Sequence, residues 1–479
     1  MQHPNNDNHV PSAGRSSKQQ HHKLLSVGDA LSYLDSHVNL EAIEKGRAGR
    51  AGEPTLSRIN AILDAMARPD DGYPILQVTG TNGKGSTTRI ASAILMGLGL
   101  CTGTYMSPHL ELINERIAVN NQSITDDDLA NILSSLSYLE TFLLSSGKLE
   151  IPPTWFELMT AAAFIFFGDM AVDAAVVEVG MGGRYDATNA GDALVSVLTN
   201  VELDHVEILG PTKKHIALEK VGIVKPGSIF VQGERDPVLS ELLETTAFEQ
   251  GASEVLIRGR DFDCTSAEVA HGGRLLDIYT KFSSYESLFL PLHGRHQGDN
   301  AAIAITAVEQ LIGQAIDQEV LQEALQEAEV PGRLEVLGRS PLVLLDGAHN
   351  EAGMSILAEA LEEDFPLFEN IIVIMGLLSG REPKKMLQAL NLHKLALRNN
   401  AAADNSQPTN ITVVACTPPS LRALPGYLVK EAAEELGLPS FDSGDVASAL
   451  EWAKQAGGQN DIILITGSLY VVGSARQLF

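Results

Sequence analysis

Basic residues are scarce in this chain: 34 Lys and Arg stand against 61 Asp and Glu in 479 residues, a formal net charge of −27. Such a surface cannot hold DNA or RNA by general phosphate neutralisation, which takes clustered Lys and Arg. Nucleic acid is therefore not an expected partner, and any anionic ligand must be captured locally, by backbone N–H groups, a few fixed cations or metal ions. Cysteine is nearly missing as well. Cys101, Cys264 and Cys416 are odd in number and far apart, which excludes a disulfide framework or a CxxC metal knuckle and points to a reducing compartment. Long apolar runs are lacking: the most apolar stretch, 161–167, is soon interrupted by Asp169 and is too short to span a bilayer. Segment 1–24 is polar, rich in Asn, Gln, Ser and His, without the apolar core of a signal peptide. It reads as a disordered tail rather than a metal site on His21 and His22. The expectation is a cytoplasmic protein with no membrane partner, and nothing in the chain demands assembly beyond a monomer.

What is present is an alternation of short aliphatic runs with longer segments of helical period, the pattern of a mainly parallel sheet covered by helices. Strands are predicted over 74–79, 174–179, 194–199 and 228–232, and helices over 86–96, 154–167 and 212–221. Thr125 can cap a further helix with Asp126, Asp127 and Asp128 in its first turn, where the helix dipole favours carboxylates. A second series of strands, 342–345, 371–375, 412–416 and 462–465, follows a polar helical stretch over 321–329 and the turn Pro331-Gly332. The fold class expected is α/β in two domains: a P-loop ATPase-like parallel-sheet domain over 25–329 and a smaller Rossmann-like domain over 335–479, joined by a hinge at 330–334. Segment 399–410 reads as a flexible surface loop.

The strongest chemical signal is Gly80-Thr81-Asn82-Gly83-Lys84-Gly85-Ser86, between a predicted strand and a predicted helix. Glycines let backbone N–H groups turn inward, Lys84 adds a charge and the helix N-terminus a partial one, so together they make an anion cradle. The Ser86 hydroxyl is suited to a phosphate or its Mg²⁺. Ser107 follows the apolar stretch 101–106, Glu178 ends a predicted strand, and Asp204 and His205 follow another. In a parallel sheet the carboxyl ends of strands share one edge, which can bring Lys84, Ser107, Glu178 and His205 together. A hydroxyl, a carboxylate and an imidazole beside triphosphate oxygens make a divalent-metal site. Taken singly, each residue has a plainer structural reading.

These strings recur in a fixed order with others: Ser107-Pro108-His109-Leu110, Glu178-Val179-Gly180-Met181-Gly182-Gly183-Arg184-Tyr185-Asp186-Ala187-Thr188-Asn189, Leu203-Asp204-His205, Glu219-Lys220-Val221-Gly222-Ile223, His296-Gln297-Gly298-Asp299-Asn300, Pro331-Gly332-Arg333 and Asp346-Gly347-Ala348-His349-Asn350. In this the chain resembles the folylpolyglutamate and dihydrofolate synthases of the Mur ligase superfamily, from about residue 25 to its end. The resemblance implies an ATP-dependent ligase that phosphorylates a folate or dihydropteroate carboxylate and joins the acyl phosphate to L-glutamate. It implies Ser86, Ser107, Glu178 and His205 as magnesium ligands, with a carbamylated Lys220 supplying an anionic oxygen to a second magnesium. It further implies ATP contacts from Gly80 to Ser86, from Gln297 and Asn300, and from Arg333, Asp346 and His349 of the linker and second domain. Lys84, Lys220, Glu178 and His205 are the residues expected to carry catalysis. Without the resemblance, Gln297 and Asn300 would be read as helix capping and Asp346 as a turn.

Family members often carry Asp-Lys-Asp after the strand matching 371–375, where this chain has Gly380-Arg381-Glu382-Pro383-Lys384-Lys385, so no role is carried over to that segment. The region Glu111 to Arg116 is a candidate wall for the folate. Two other readings compete. A cell-wall Mur ligase acting on a UDP-linked substrate would need room for a UDP-binding domain before Gly80. A nucleotide-binding regulatory module would not need Lys220, Arg333 and Asp346.

Overall fold

The computed structural model describes residues 24–39, 41, 53–366, 368–403 and 409–479, with the side chains of 398 and 400–403 left aside. The expected tail, 1–24, lies outside them apart from Leu24. The first domain is built on an eight-stranded sheet of β1 (Ile75–Thr79), β2 (Thr102–Tyr105), β3 (Ile117–Val119), β4 (Gln122–Ser123), β5 (Ala174–Glu178), β6 (Ala193–Leu198), β7 (Ile229–Gln232) and β8 (Glu254–Ile257). Its order is β4-β3-β2-β5-β1-β6-β7-β8. Strands β2, β5, β1, β6, β7 and β8 run parallel, while β3 and β4 join the β2 edge antiparallel. The central strands are buried along their whole length, because helices cover both faces of the sheet. On one face Trp155–Asp169 and Asp126–Ser145 pack into the cluster with Phe164 and Phe167; on the other, Lys84–Gly97 and His296–Ile312 pack over Val78 and Val176.

The helix starts follow their side chains. Thr125 accepts from the Asp128 amide, and Thr154 with Glu157 closes a capping box at the start of Trp155–Asp169.

Beyond this sheet lies an antiparallel three-stranded sheet, β9 (Asp263–Ala270), β10 (Gly273–Tyr279) and β11 (Ser284–Leu290), which the strand pattern of the sequence did not suggest. It packs on the N-terminal turn of the helix His296–Ile312, where a Cβ on Gly298 would lie 2.8 Å from the Cys264 Sγ.

The second domain carries β12 (Glu335–Arg339), β13 (Leu342–Leu345), β14 (Ile371–Met375), β15 (Ile411–Ala415), β16 (Ser440–Asp442) and β17 (Ile462–Thr466). Their order is β12-β13-β17-β14-β15-β16, all parallel but β12. The loop expected over 399–410 needs correcting: the helix Leu392–Ala403 runs into it. Asn399 is buried there, accepting from the Phe368 amide at 3.2 Å and donating to its carbonyl at 2.5 Å. Those two bonds tie the C-terminal part of this helix to Phe368, and 404–408 of the expected loop lie outside the described residues.

Candidate functional site

The sheet order sets the location. Strand β1 lies between β5 and β6, with Val78 level with Glu178 and Thr79 level with Leu198. The chain leaves β1 toward β2 on one side and leaves β5 toward β6 on the other, which makes this the switch point where α/β sheets leave a crevice beyond the strand ends. Gly80 enters that crevice with φ +151, and a Cβ there would stand 1.8 Å from the Thr199 Oγ1. Only glycine fits. The loop is then pinned to the exit of β6: the Thr199 hydroxyl donates to the Asn82 carbonyl at 2.6 Å, and the Asn82 amide donates to the Asn200 Oδ1 at 3.0 Å. Gly83, at φ +84, opens the helix Lys84–Gly97, and Lys84 Nζ curls back onto the carbonyls of Gly80 and Thr81 at 3.2 and 3.3 Å. The cradle expected from the sequence is thus present, with Ser86 buried in the first helical turn.

Around it the structure gathers most of the other candidates. Lys220 ends a helix and donates from Nζ to the Gly80 carbonyl at 2.6 Å; it is 4% exposed. Burial first, and Lys84 second, push its amine down to about 7. The Ser107 amide donates to Glu178 Oε2 at 3.2 Å. Burial raises the Glu178 carboxyl, opposed chiefly by the charge of Lys84. His205 sits in a left-handed conformation at φ +49, and burial pushes its imidazole down to about 4, which leaves a lone pair free for a metal at neutral pH. Asn300 donates to Gln297 Oε1 at 3.0 Å, its Oδ1 lies against Gly83, and Gln297 Nε2 is enclosed with no partner. This pair therefore supports the loop and leaves a buried donor beside it.

The second domain reaches the same place. Asn350 Nδ2 donates to Asn82 Oδ1 at 3.0 Å and to Asp204 Oδ2 at 3.1 Å. His349 Nε2 lies 3.7 Å from Asp204, and Arg381 Nη1 pairs with Asp204 Oδ1 at 2.7 Å. Burial alone would raise the Asp204 carboxyl, but His349, His205 and Arg381 together hold it well below the usual carboxylate range. The sequence alone assigns no role to Asn350 or Arg381. Asp346 accepts from the amides of Leu334 and Ala348 at 3.0 and 2.8 Å, so it clamps the linker to the end of β13 as the turn reading anticipated. Arg333 lies against Gly347, with Nη1 3.2 Å from where a Cβ would stand, and lines the space facing Glu178.

Two cavities open on this crevice. One, of about 300 Å³, lies beyond the loop Gly180 to Asp186 and is walled by Phe156, Met181, Tyr185, Ile208 and Leu209, with the buried Arg58–Glu157 pair at 2.9 Å beside it. Burial pushes the Asp186 carboxyl there up to about 6. The other, of about 240 Å³, lies between the domains against Gly85, Ser107, Glu178 and Arg333. Of the expected folate wall, Glu115 reaches this second cavity, but its carboxylate is taken up by the amides of Leu110, Glu111 and Leu112. Arg116 instead pairs with Glu41 at 2.6 Å.

Among the described residues no three His, Cys, Asp or Glu are gathered as a metal cluster. The expected donors come instead from separate loops and include the hydroxyls of Ser86 and Ser107. A set of mainly oxygen donors with one imidazole suits Mg²⁺ or Mn²⁺, ions that take remaining ligands from phosphate and water.

Comparison with known proteins agrees with this arrangement. Residues 78–308 match the Mur ligase middle domain and residues 332–469 the Mur ligase glutamate ligase domain. A dihydrofolate synthase/folylpolyglutamate synthase of Mycobacterium tuberculosis is 33% identical over 459 residues, covering 89% of this chain and 90% of that one. The structure of Mycobacterium tuberculosis folylpolyglutamate synthase complexed with ADP superposes with a TM-score of 0.82 at 30% identity, over 94% of this chain and 98% of that one. A bifunctional folylpolyglutamate synthase/dihydrofolate synthase from Yersinia pestis, complexed with AMPPNP and a Mn ion, gives a TM-score of 0.76 at 25% identity over 94% and 97%. The chain belongs to the folylpolyglutamate and dihydrofolate synthase family of Mur ligases.

Proposed function

We propose that this chain is an ATP-dependent ligase that adds L-glutamate to folates and to dihydropteroate through an acyl phosphate. One observation carries the reading: a phosphate cradle and a buried carboxylate, Glu178, lie between an apolar cavity of about 300 Å³ and a cation-lined one of about 240 Å³. The first suits a flat aromatic ring, with Phe156 and Met181 against its faces and Asp186 as a polar partner. Its occupant can extend a carboxylate past Gly180 toward Glu178. The relatives spanning nearly the whole chain are folate enzymes, which speaks against a UDP-linked substrate.

The chemistry follows. A carboxylate oxygen attacks the γ-phosphorus, ADP leaves, and the acyl phosphate forms. The neutral glutamate amine then attacks the acyl carbon, the C–O bond to phosphate breaks with the electron pair going to inorganic phosphate, and the new C–N nitrogen gives its extra proton to phosphate or water to leave the neutral amide. Lys84 and the loop amides hold the transferring phosphoryl group, and Arg333 approaches it from the second domain. Glu178, Ser107 and His205 would hold a divalent ion, which when bound offsets charge on the phosphoryl oxygens. Lys220 is well placed to become a carbamate: at an amine pKa of about 7 much of it is neutral near physiological pH, the form that reacts with CO₂. ATP contacts from Gln297, Asn300, Asp346 and His349 fit the same picture. The linker 330–334 is read as a hinge whose closure excludes water from the acyl phosphate. All the named residues come from one chain, so a monomer suffices, and the three unpaired cysteines fit a cytoplasmic enzyme.

Glutamate-dependent ADP release, measured separately with dihydropteroate and a reduced folate, tests the reading. Release with both is expected, and Lys84→Ala or Glu178→Ala should abolish it. No release with either substrate sinks the assignment.

A further inference from the structure

The segment Ser107 to Leu112 belongs to the first domain in sequence and to both domains in contact. At its start the Ser107 amide donates to Glu178 Oε2 at 3.2 Å. Further on, the amides of Leu110, Glu111 and Leu112 donate to the Glu115 carboxylate at 2.9, 3.1 and 2.8 Å, so these residues form one tight turn. Between the two, Arg116 Nε donates to His109 Nδ1 at 2.9 Å.

The outer side of that turn is covered by the second domain. Leu110 packs against the cluster that holds Val471, Val472 and Ala475, and its Cδ1 stands 3.4 Å from where a Cβ on Gly332 of the linker would be. The helix Leu469–Arg476 comes so near that a Cβ on Gly473 would lie 1.9 Å from the Leu110 carbonyl oxygen. Glycine inside a helix is unfavourable relative to alanine, and this approach of backbone to backbone is what requires it at Gly473. Three residues on, Arg476 pairs with Glu111 of the turn and, at 3.0 Å, with Glu335, whose carboxylate also accepts from the Gly332 amide at 2.7 Å. One run of contacts thus joins the linker, the second-domain helix and the first-domain turn.

We propose that Gly473 and Arg476 are positioning residues for the metal site: acting through Leu110 and Glu111 they set the Ser107 hydroxyl, so that the donors for a divalent ion are complete only when the second domain is seated. The inference rests on the ligase reading above, in which Ser107 is a metal donor. Ser107 lies three residues before Leu110, and the ring of Pro108 between them fixes φ, so a displacement of Leu110 carries back to Ser107. Supporting residues of this kind orient metal ligands, and losing one typically weakens the metal about ten- to hundredfold. Seating of the second domain then completes the site before phosphoryl transfer, the order that spares ATP from water.

The test uses the full chain with a non-hydrolysable ATP analogue and Mn²⁺. Enhanced water-proton relaxation, which Mn²⁺ gives when it sits on the slowly tumbling protein, reports the held ion without need of turnover. Gly473→Ala and Arg476→Met should each weaken Mn²⁺ about ten- to hundredfold, while the analogue binds near wild-type affinity in the absence of metal. Ser107→Ala should weaken Mn²⁺ too, and adding Gly473→Ala to it should weaken the ion no further. Leu110→Ala, which withdraws the contact without inserting an atom, should behave as Gly473→Ala does and serves if that variant does not fold. If Ser107→Ala weakens Mn²⁺ while the second-domain variants leave it at wild-type affinity, or if the effects simply add, the positioning role is overturned and the metal reading stands. If Ser107→Ala leaves Mn²⁺ unmoved, Ser107 is not a donor and both fall.

Discussion

The contact of Arg381 with Asp204 is one of several ties between the domains, beside Asn350 to Asn82, Arg274 to Asp364 and Arg476 to Glu111, and breaking it should shift the molecule toward an open form. The pair is close, 2.7 Å, and mostly shielded, with the two side chains 21% and 6% exposed. A charge-assisted hydrogen bond of this kind is worth about 1.5–3 kcal/mol. Losing Arg381 does not orphan Asp204, which keeps Asn350 Nδ2 and the His205 amide, so the larger penalty of a stranded buried charge does not apply. Arg381→Met should therefore move the closed-to-open ratio by about ten- to hundredfold. Energy transfer between dyes on cysteines at Val238→Cys and Leu421→Cys, both highly exposed positions in different domains, reads that ratio once Cys101 and Cys264 are replaced. Asp204→Asn should open the nucleotide-free protein too, and the double variant should open it no further than the stronger single one. Because ATP contacts are proposed from both domains, Arg381→Met should also raise the KM for ATP while saturating ATP restores much of kcat. If both single variants keep wild-type transfer efficiency, or their effects simply add, the latch does not exist.

Other expectations are more local. Gly83→Ala places a Cβ 2.4 Å from Asn300 Oδ1 at φ +84. A left-handed alanine costs about 1–2 kcal/mol, so a lower melting temperature and a raised KM for ATP are expected together. Lys220→Ala should be inactive, and the wild type, stripped of CO₂ below pH 7, should lose activity that bicarbonate restores; indifference to CO₂ would remove the carbamate. For His296, burial and then Arg333 and Arg274 hold the folded pKa at about 4, below the ordinary value near 6.5. Between those values the unfolded chain binds more protons, so stability falls as pH drops through that window. His296→Gln should show a smaller loss of unfolding free energy between pH 7 and pH 5 in urea titrations.

The parts of the site that are local in the chain were legible in the sequence. Gly80 to Ser86 form a strand–loop–helix turn whose shape depends on its own glycines, and Thr125 and Thr154 cap the helices they precede. The parts that depend on distant segments meeting were not. Asn82 and Asn350 are 268 residues apart, and nothing in either neighbourhood announces the other. Arg381 lay in a stretch that departs from the family pattern, so its position gave no cue until the second domain was placed over Asp204. The strands β9 to β11 escaped notice because β9 is largely half-exposed and mixes Thr, Ser and Glu with small apolar residues, leaving a weak period of two. The one sequence sign of that hairpin is His271-Gly272-Gly273, where Gly272 takes φ +79.

The excess of acid gives the unpaired cations their meaning. With 61 acidic residues to 34 basic ones, a cation inside the fold can generally find a carboxylate, and Arg58, Arg116, Arg274 and Arg476 have done so. Lys84, Arg89, Lys220 and Arg333 have no carboxylate within ion-pair distance among the described residues. All four face either the cradle or the interdomain cavity. In a basic protein such residues would be unremarked surplus. Here four cations without an ion pair among the described residues at one crevice suit anions brought from outside, of which the triphosphate of ATP is one. The four cations sit on three elements rather than in one patch: Lys84 and, one turn on, Arg89 share a helix, Lys220 ends another, and Arg333 lies on the linker.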